Sequence, residues 1–434
     1  MKHTGGLVVP AVAASRFVVL AVAAVAVLVA PEYDSSTTVA ALAPPQHAAD
    51  AACDGAASRM AAALARPLVR WDAVHFVDIA AGGHHFEQQF AFFPGLPLLA
   101  RALAAPAVAA GVLCRSAALP LAGIVVANAS FVAAAVALHR LSLAVLQDRR
   151  AARAAAMLFC VNPAGIFMSS VYTESPFALL TFVGMLAMVR GNRLVAAMSW
   201  SLATAVRANG ILAAGFFVWD AVHPFARQHR SMVSEQRPAM QAAAHCALDM
   251  LGAAATIAPF VGFQALGWHQ FCGSAASPRP WCSRPLPSIY AFVQEHYWDN
   301  GFLRYFTPQQ APNFVLAAPI VAISVAGIAH FARQHPAAAL TFGLGSPCSA
   351  AVLVRLPFVV LWAAMLVLCV TSMNVQVIIR FFTSVPAMFW FLGEAVAAHT
   401  RGRRLSVPVR AALLYFVLYP LAGAVLFSRF LPPA

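Results

Sequence analysis

Stretches of about twenty nearly uninterrupted apolar residues recur along this chain, at 247–268, 350–372 and 407–428 among others. A helix rises about 1.5 Å per residue, so ~20 residues match the ~30 Å hydrocarbon core of a bilayer. Further apolar segments fall at about 117–138, 154–170, 175–190, 194–220 (interrupted), 313–331 and 375–396. Only 10% of residues are charged, against roughly 25% in a soluble domain. The chain therefore reads as an all-α polytopic membrane protein, one domain over residues 1–434.

The first apolar segment, 17-FVVLAVAAVAVLVA-30, follows Lys2 and Arg16. It reads as an uncleaved signal anchor extended back to Leu7, with a cleaved signal peptide as the alternative. A formal charge of +13 raises nucleic acid as a partner, but the basic residues are dispersed among short loops with no basic domain. No nucleic-acid partner is expected. The positive charge serves better as a topology signal, because cytoplasmic loops collect Lys and Arg.

That signal settles the ambiguous segment 97-PLLARALAAPAVAAGVLCR-115. Counted as a span, it sends Arg140, Arg149, Arg150 and Arg153 across the membrane from the cytosol. Laid along the interface instead, it leaves them cytosolic, together with Arg190, Arg193, Arg227, Arg230, Arg237, Arg401, Arg403 and Arg404. This topology also requires 194–220 to be two short helices that break at 207-RANG-210. Residues 31–115 then form a first luminal loop carrying interfacial helices, and 269–312 a second. Cys272 and Cys282 share that second loop and are expected to pair if it faces an oxidising lumen.

The same topology gathers the polar clusters 70-RWDAVHF-76, 87-EQQFAFFP-94, 172-YTES-175 and 207-RANG-210 at one membrane face. Asp72 is the leading candidate for a general base. Trp71 offers a flat face for a sugar or lipid head group. The alternative makes Arg70 and Asp72 ordinary charges on the polar face of an interfacial helix. His75 lies one helical turn from Asp72 and either orients it, contacts substrate, or is structural. Glu87 is a second acid or a structural partner. Tyr172, Glu174, Arg207 and Asn209 flank breaks between spans, where ionisable groups are functional candidates. A Glu174–Arg207 ion pair holding two helices is the structural alternative. Arg380 is suited to holding a phosphate. There is no HExxH and no DxD in the luminal stretch, so a donor needing no metal or cofactor is expected.

At these residues the chain resembles the PIG-V family of GPI mannosyltransferases. The likeness is carried by 70-RWDAVHFVDIAAGGHHFEQQFAFFPGLP-97, 162-NPAGIFMSSVYTESPFALLTF-182, 207-RANGILAAGF-216, 259-PFVGFQALGWHQFC-272, 288-SIYAFVQEHYWDNGFLRYFTPQQAPNFVLAAP-319, 374-NVQVIIRFF-382 and 429-RFLPP-433. It runs in order from about residue 59 to the C-terminus. The resemblance implies a GT-C-like helix bundle in the endoplasmic-reticulum membrane, with the catalytic acid in the first luminal loop at Trp71-Asp72. It implies α-1,6-mannosyl transfer from dolichyl-phosphate mannose to a GPI precursor, both lipid-linked, and it leaves room for an accessory membrane subunit. Another dolichyl-phosphate-mannose-dependent transferase is the nearest alternative. A multi-span transporter is the alternative of a different class, but neither inverted repeats nor midplane charges are evident.

Overall fold

The structure, a computed structural model, describes residues 8–31, 33, 53, 55–223, 239–273, 279–344 and 348–432. Regular structure among them is entirely helical. A long helix, α1 (Val8–Val29), precedes three short ones, α2 (Ala56–Ala65), α3 (Ala73–Gly82) and α4 (Gly95–Ala109). Then come α5 (Arg115–Leu146), α6 (Arg149–Cys160), α7 (Glu174–Val189), α8 (Arg193–Val206), α9 (Ala214–Val222) and α10 (Ala239–Cys272). The remainder is α11 (Ile289–His296), α12 (Ala311–Gln334), α13 (Pro336–Thr341), α14 (Ala350–Ser372), α15 (Ile378–Phe381), α16 (Pro386–His399) and α17 (Val407–Ser428). Six of these, α1, α5, α10, α12, α14 and α17, are long and apolar enough to cross a membrane. This is a multi-pass membrane protein. At its centre α7 packs between α5 and α8, while α6 packs on α16 and α1 on α17.

Several expected spans are broken, and each break has a local cause. The segment expected to span at 154–170 is helical only to Cys160, because Asn162-Pro163 follows. Proline lacks the N–H that would continue the ladder, and it disfavours helical geometry in the residue before it. Residues 161–173 are a buried irregular segment. Irregular backbone at membrane depth persists only where protein groups satisfy it. Asn162 donates to the Phe159 carbonyl at 2.7 Å, Asn128 to Ser169 at 3.0 Å and Ser175 to Met168 at 2.6 Å.

Arg16 does the most here, and its place corrects the reading of it as a flank of the first apolar segment. It lies inside α1, is 5% exposed, and donates to the carbonyls of Gly165 at 2.7 Å and Cys160 at 3.0 Å. Its guanidinium also lies 3.9 Å from the centre of the Phe131 ring. The Cys160 carbonyl is among the last of α6, where a helix end welcomes a cation. Arg16→Met should destabilise the fold by about 1–3 kcal/mol for each carbonyl left without a donor. Thermal unfolding of the detergent-solubilised protein measures this, and an unchanged midpoint would remove Arg16 from the list of fold determinants.

The stretch expected as one span at 375–396 is instead two helical pieces bent by 77°. Pro386 begins α16, and Val385 before it is extended at φ −101° and ψ 94°, as the residue preceding a proline prefers. The break expected at 207-RANG-210 is present. Arg207 is extended, at φ −157° and ψ 134°, and a tight helical turn (Ala208–Ala213) leads into α9. Gly210 is required there, since a Cβ would lie 2.6 Å from the Thr204 backbone.

The ambiguous segment folds as α4, only 15 residues long. Arg101 donates from its side chain to the Ala80 carbonyl at 2.7 Å and to Ile79 at 3.2 Å, and Arg115 donates to Ala81. These two arginines thus serve the carbonyls that end α3, of which that of Ile79 also accepts from the Gly83 amide at 2.8 Å. Cys272 and Cys282 are bonded, with Cα atoms 5.7 Å apart. A second disulfide, Cys53–Cys114, ties the chain before α2 to the start of α5 and was not expected. Arg227, Arg230 and Arg237, used for the topology, lie outside the described residues.

Candidate active site

A tight turn at 70–73 enters α3, with the Ala73 amide donating to the Arg70 carbonyl at 3.1 Å. Trp71 sits in this turn at φ 55°, a left-handed conformation that a bulky residue rarely adopts. The turn is held from outside. The Tyr172 hydroxyl donates to the Arg70 carbonyl at 3.2 Å and accepts from the Asp72 amide at 3.1 Å. Tyr172 is fully buried at the end of the irregular 161–173 segment, so the break in the α6–α7 region is what delivers it.

The turn aims Asp72 into a cavity of about 140 Å³, whose lining also includes Arg207, Asn209 and Arg380. Arg380 joins two acids: its Nη1 donates to Asp72 at 2.9 Å and its Nε to Glu174 at 2.7 Å. Arg207 reaches the same Glu174 oxygen at 3.0 Å. Glu174 is completely buried at the N-terminus of α7, whereas Asp72 keeps 34% of its side chain exposed. The Arg380 guanidinium lies 4.9 Å from the centres of both the Phe167 and Tyr172 rings. Arg207 lies 4.4 Å from the Phe381 ring. Two guanidinium groups and two carboxylates therefore form one network; Asp72, Arg207 and Arg380 line the cavity, Glu174 is buried outside its lining, and Asp72 is the most accessible. The Glu174–Arg207 pair, the structural alternative drawn from the sequence, is present, but as part of a larger network that also contains the candidate base.

Five expected site residues are not part of the cavity lining: Tyr172 and Glu174, which bond to the lining residues, and Trp71, His75 and Glu87. Trp71 turns outward, 41% exposed, towards Phe430 at 6.3 Å between ring centres. His75 stacks on Phe92 at 4.7 Å. Burial pushes its imidazole below the usual range against the pull of Asp72 and Asp78, which favours the neutral form. Glu87 accepts from Arg279 at 2.7 and 3.0 Å, from Trp281 at 2.5 Å and from Tyr297 at 3.2 Å. Burial alone would raise the Glu87 carboxyl, but these donors outweigh it and hold it below the ordinary carboxylate range. Glu87 thus clamps the first polar loop to the second, beside the Cys272–Cys282 bond. His84 is bonded to the Phe92 carbonyl at 2.8 Å.

Sequence reasoning missed part of the lining: Tyr290, Gln294, Trp298, Asn300 and Asn374. All five lie in blocks that carried the family likeness, 288–319 and 374–382. A signal was present, but polar amides in a loop look ordinary until the loop is folded over the site.

Comparison with known proteins gives this arrangement a context. The family described as mannosyltransferase (PIG-V) matches residues 7–434. The GPI alpha-1,6-mannosyltransferase 2 of Mus musculus is 32% identical, covering 89% of this chain and 93% of its own length. The chain belongs to the PIG-V family. This PIG-V protein is accordingly a mannosyltransferase, a glycosyltransferase of the membrane. The Rattus norvegicus protein of the same name is 35% identical over 80% of this chain and 78% of its own. The GPI mannosyltransferase 2 of Gibberella zeae is 29% identical over 94% of this chain and 92% of its own. Among solved structures, the oligosaccharyltransferase of Archaeoglobus fulgidus aligns with a TM-score of 0.44 and 12% identity, covering 96% of this chain and 56% of that one. So loose a likeness carries no argument about the PIG-V site.

Proposed function

We propose that this chain transfers the second, α-1,6-linked mannose of the GPI anchor from dolichyl-phosphate mannose to the GPI precursor. The reaction takes place at the luminal face of the endoplasmic-reticulum membrane. The observation that carries the reading is the Asp72–Arg380–Glu174–Arg207 network, of which Asp72, Arg380 and Arg207 line the cavity. The names of the relatives support the acceptor and the linkage.

The β-linked donor and α-linked product require inversion at C1. The acceptor 6-hydroxyl oxygen attacks C1, and the bond from C1 to the phosphate oxygen breaks, its electron pair leaving with the phosphate. The hydroxyl proton passes to Asp72, the general base. Arg380 and Arg207 take up the charge that develops on the leaving phosphate. Without donor, the four side chains balance, two positive against two negative. The donor phosphate brings a further negative charge and competes with Asp72 for Arg380. Donor binding thereby frees the Asp72 carboxylate to accept a proton, while Glu174 keeps both arginines in place. No cofactor is required by this scheme.

Expression in cells that lack the second GPI mannose tests the reading. Restored surface display of GPI-anchored proteins is expected, and a membrane-inserted chain that restores none would overturn it. The luminal assignment makes a separate forecast. Glycosylation sites engineered around Pro45 and Ala275 should be modified and one around Met232 should not; all three positions lie outside the described residues. Modification at Met232 would reverse the topology.

A further inference from the structure

Besides Asp72, Arg207 and Arg380, the cavity lining includes four side-chain amides: Asn209, Gln294, Asn300 and Asn374. Three of them form a relay. The Asn374 backbone amide donates to Asn300 Oδ1 at 3.1 Å, and Asn300 Nδ2 donates to Gln294 Oε1 at 2.6 Å. The Asn300 amide also donates to the Gln294 carbonyl at 2.9 Å. Exchanging O and N on Asn300 would set donor against donor and acceptor against acceptor, so the network dictates its orientation. The relay pins Asn374 where α14 ends and the bent 375–399 region begins. The buried Oδ1 atoms of Asn374 and Asn209 accept no hydrogen bond. Buried acceptors without donors are uncommon in native folds and need an explanation.

We propose that Asn374, positioned by Asn300 and Gln294, acts with Asn209 to recognise the hydroxyls of a hexose. This rests on the cavity being the site of mannosyl transfer, and it names the subsite that reads the sugar. The chemistry discriminates among the parts of the substrates. An ionised phosphodiester has only acceptor oxygens, so it cannot satisfy the two Oδ1 atoms and belongs on Arg380 and Arg207. A polyprenyl tail has no polar hydrogen at all. A sugar hydroxyl donates and accepts, as side-chain amides require. Trp298, which also lines the cavity, offers the ring an apolar face on the inside, whereas Trp71 points outward. The donor's mannosyl group and the acceptor's terminal mannose both carry such hydroxyls, and the experiment separates them.

Wild type, Asn374→Ala and Asn300→Leu are assayed in membranes with dolichyl-phosphate mannose and with donors lacking one ring hydroxyl at a time. A parallel set keeps the natural donor and varies the acceptor's terminal sugar. Wild type should lose on the order of tenfold in kcat/KM when the hydroxyl held by Asn374 is removed. Asn374→Ala should lose a similar factor with the natural substrate and be indifferent to that same deletion, while remaining sensitive to the others. Asn300→Leu should blunt the same discrimination through Asn374. Each ratio is taken within one preparation, so a smaller folded fraction leaves it unchanged. The arm in which the hydroxyl-specific response appears identifies which sugar the amides read. Deletion profiles in Asn374→Ala that match wild type at every position of both sugars would overturn the proposal, leaving mannosyl transfer intact. A wild-type chain that transfers no mannose would overturn the functional reading and this subsite with it.

Discussion

Asp72→Asn is expected to abolish mannose transfer, by about 100- to 10,000-fold if general-base assistance is all that is lost. Asn keeps the size of the side chain and can still accept a hydrogen bond from Arg380, but it cannot take the acceptor's proton. The structural alternative makes a different forecast. Asp72 is about one-third exposed and its pair with Arg380 is partly screened, so a purely structural bond is worth at most about 1 kcal/mol. Turnover would then stay near normal. The measurement is transfer of labelled mannose from dolichyl-phosphate mannose in microsomes, with protein matched by immunoblot. Near-wild-type transfer would eliminate Asp72 as the base and direct attention to Glu174.

Arg380→Lys should cost on the order of 100-fold in transfer, the scale expected when a reacting group is misplaced by about 1 Å. A guanidinium presents several donors in a rigid fork, which is how Arg380 reaches Asp72 and Glu174 together. An ammonium is a point charge on a flexible stem and does not reproduce that geometry. Lys keeps a cation beside the fully buried Glu174, which Arg207 also neutralises, so folding should survive. Arg380→Met is the harsher variant. It should remove the leaving-group contribution as well, typically about 100- to 1,000-fold for one lost electrostatic donor, at an added cost in stability. Transfer measured across donor concentrations distinguishes the two losses. Wild-type kcat and KM in Arg380→Lys would show that neither the phosphate nor the base depends on this arginine.

How much of this was legible in the sequence depends on the range of the interaction that decides each feature. The interruption at 207-RANG-210 was readable because polar residues interrupt an apolar run there and because the arginine-based topology required a break. The short α4 was not a local matter in the same way; its reading came from arginines on distant loops. The break after Cys160 is also written locally, at Asn162-Pro163, yet the apolar run through it read as one span. Hydropathy counts side chains and does not ask whether the backbone can continue. Arg16 misled for a related reason. A charge near the start of an apolar segment looks like a flank until the carbonyls it serves, some 144 to 149 positions later, are brought beside it.

By itself the sequence determined that the chain is helical, crosses a membrane repeatedly, and concentrates ionisable residues near Asp72, Glu174, Arg207 and Arg380. Apolar run length, proline and glycine act within a few residues, so a one-dimensional reading captures them. Beyond the Glu174–Arg207 pair, which the sequence offered as an alternative, the tertiary structure decided which charges meet. Asp72 and Arg380 are 308 residues apart, and Glu87 finds its donors 192 to 210 residues away. Those partnerships depend on how broken helices pack, and small changes in packing separate hydrogen-bonding atoms by several ångströms. That is why Glu87 and Asp72, similar on the page as acids in one polar stretch, part company in the fold. Glu87 locks two loops together, while Asp72 faces the cavity beside the Arg380 guanidinium.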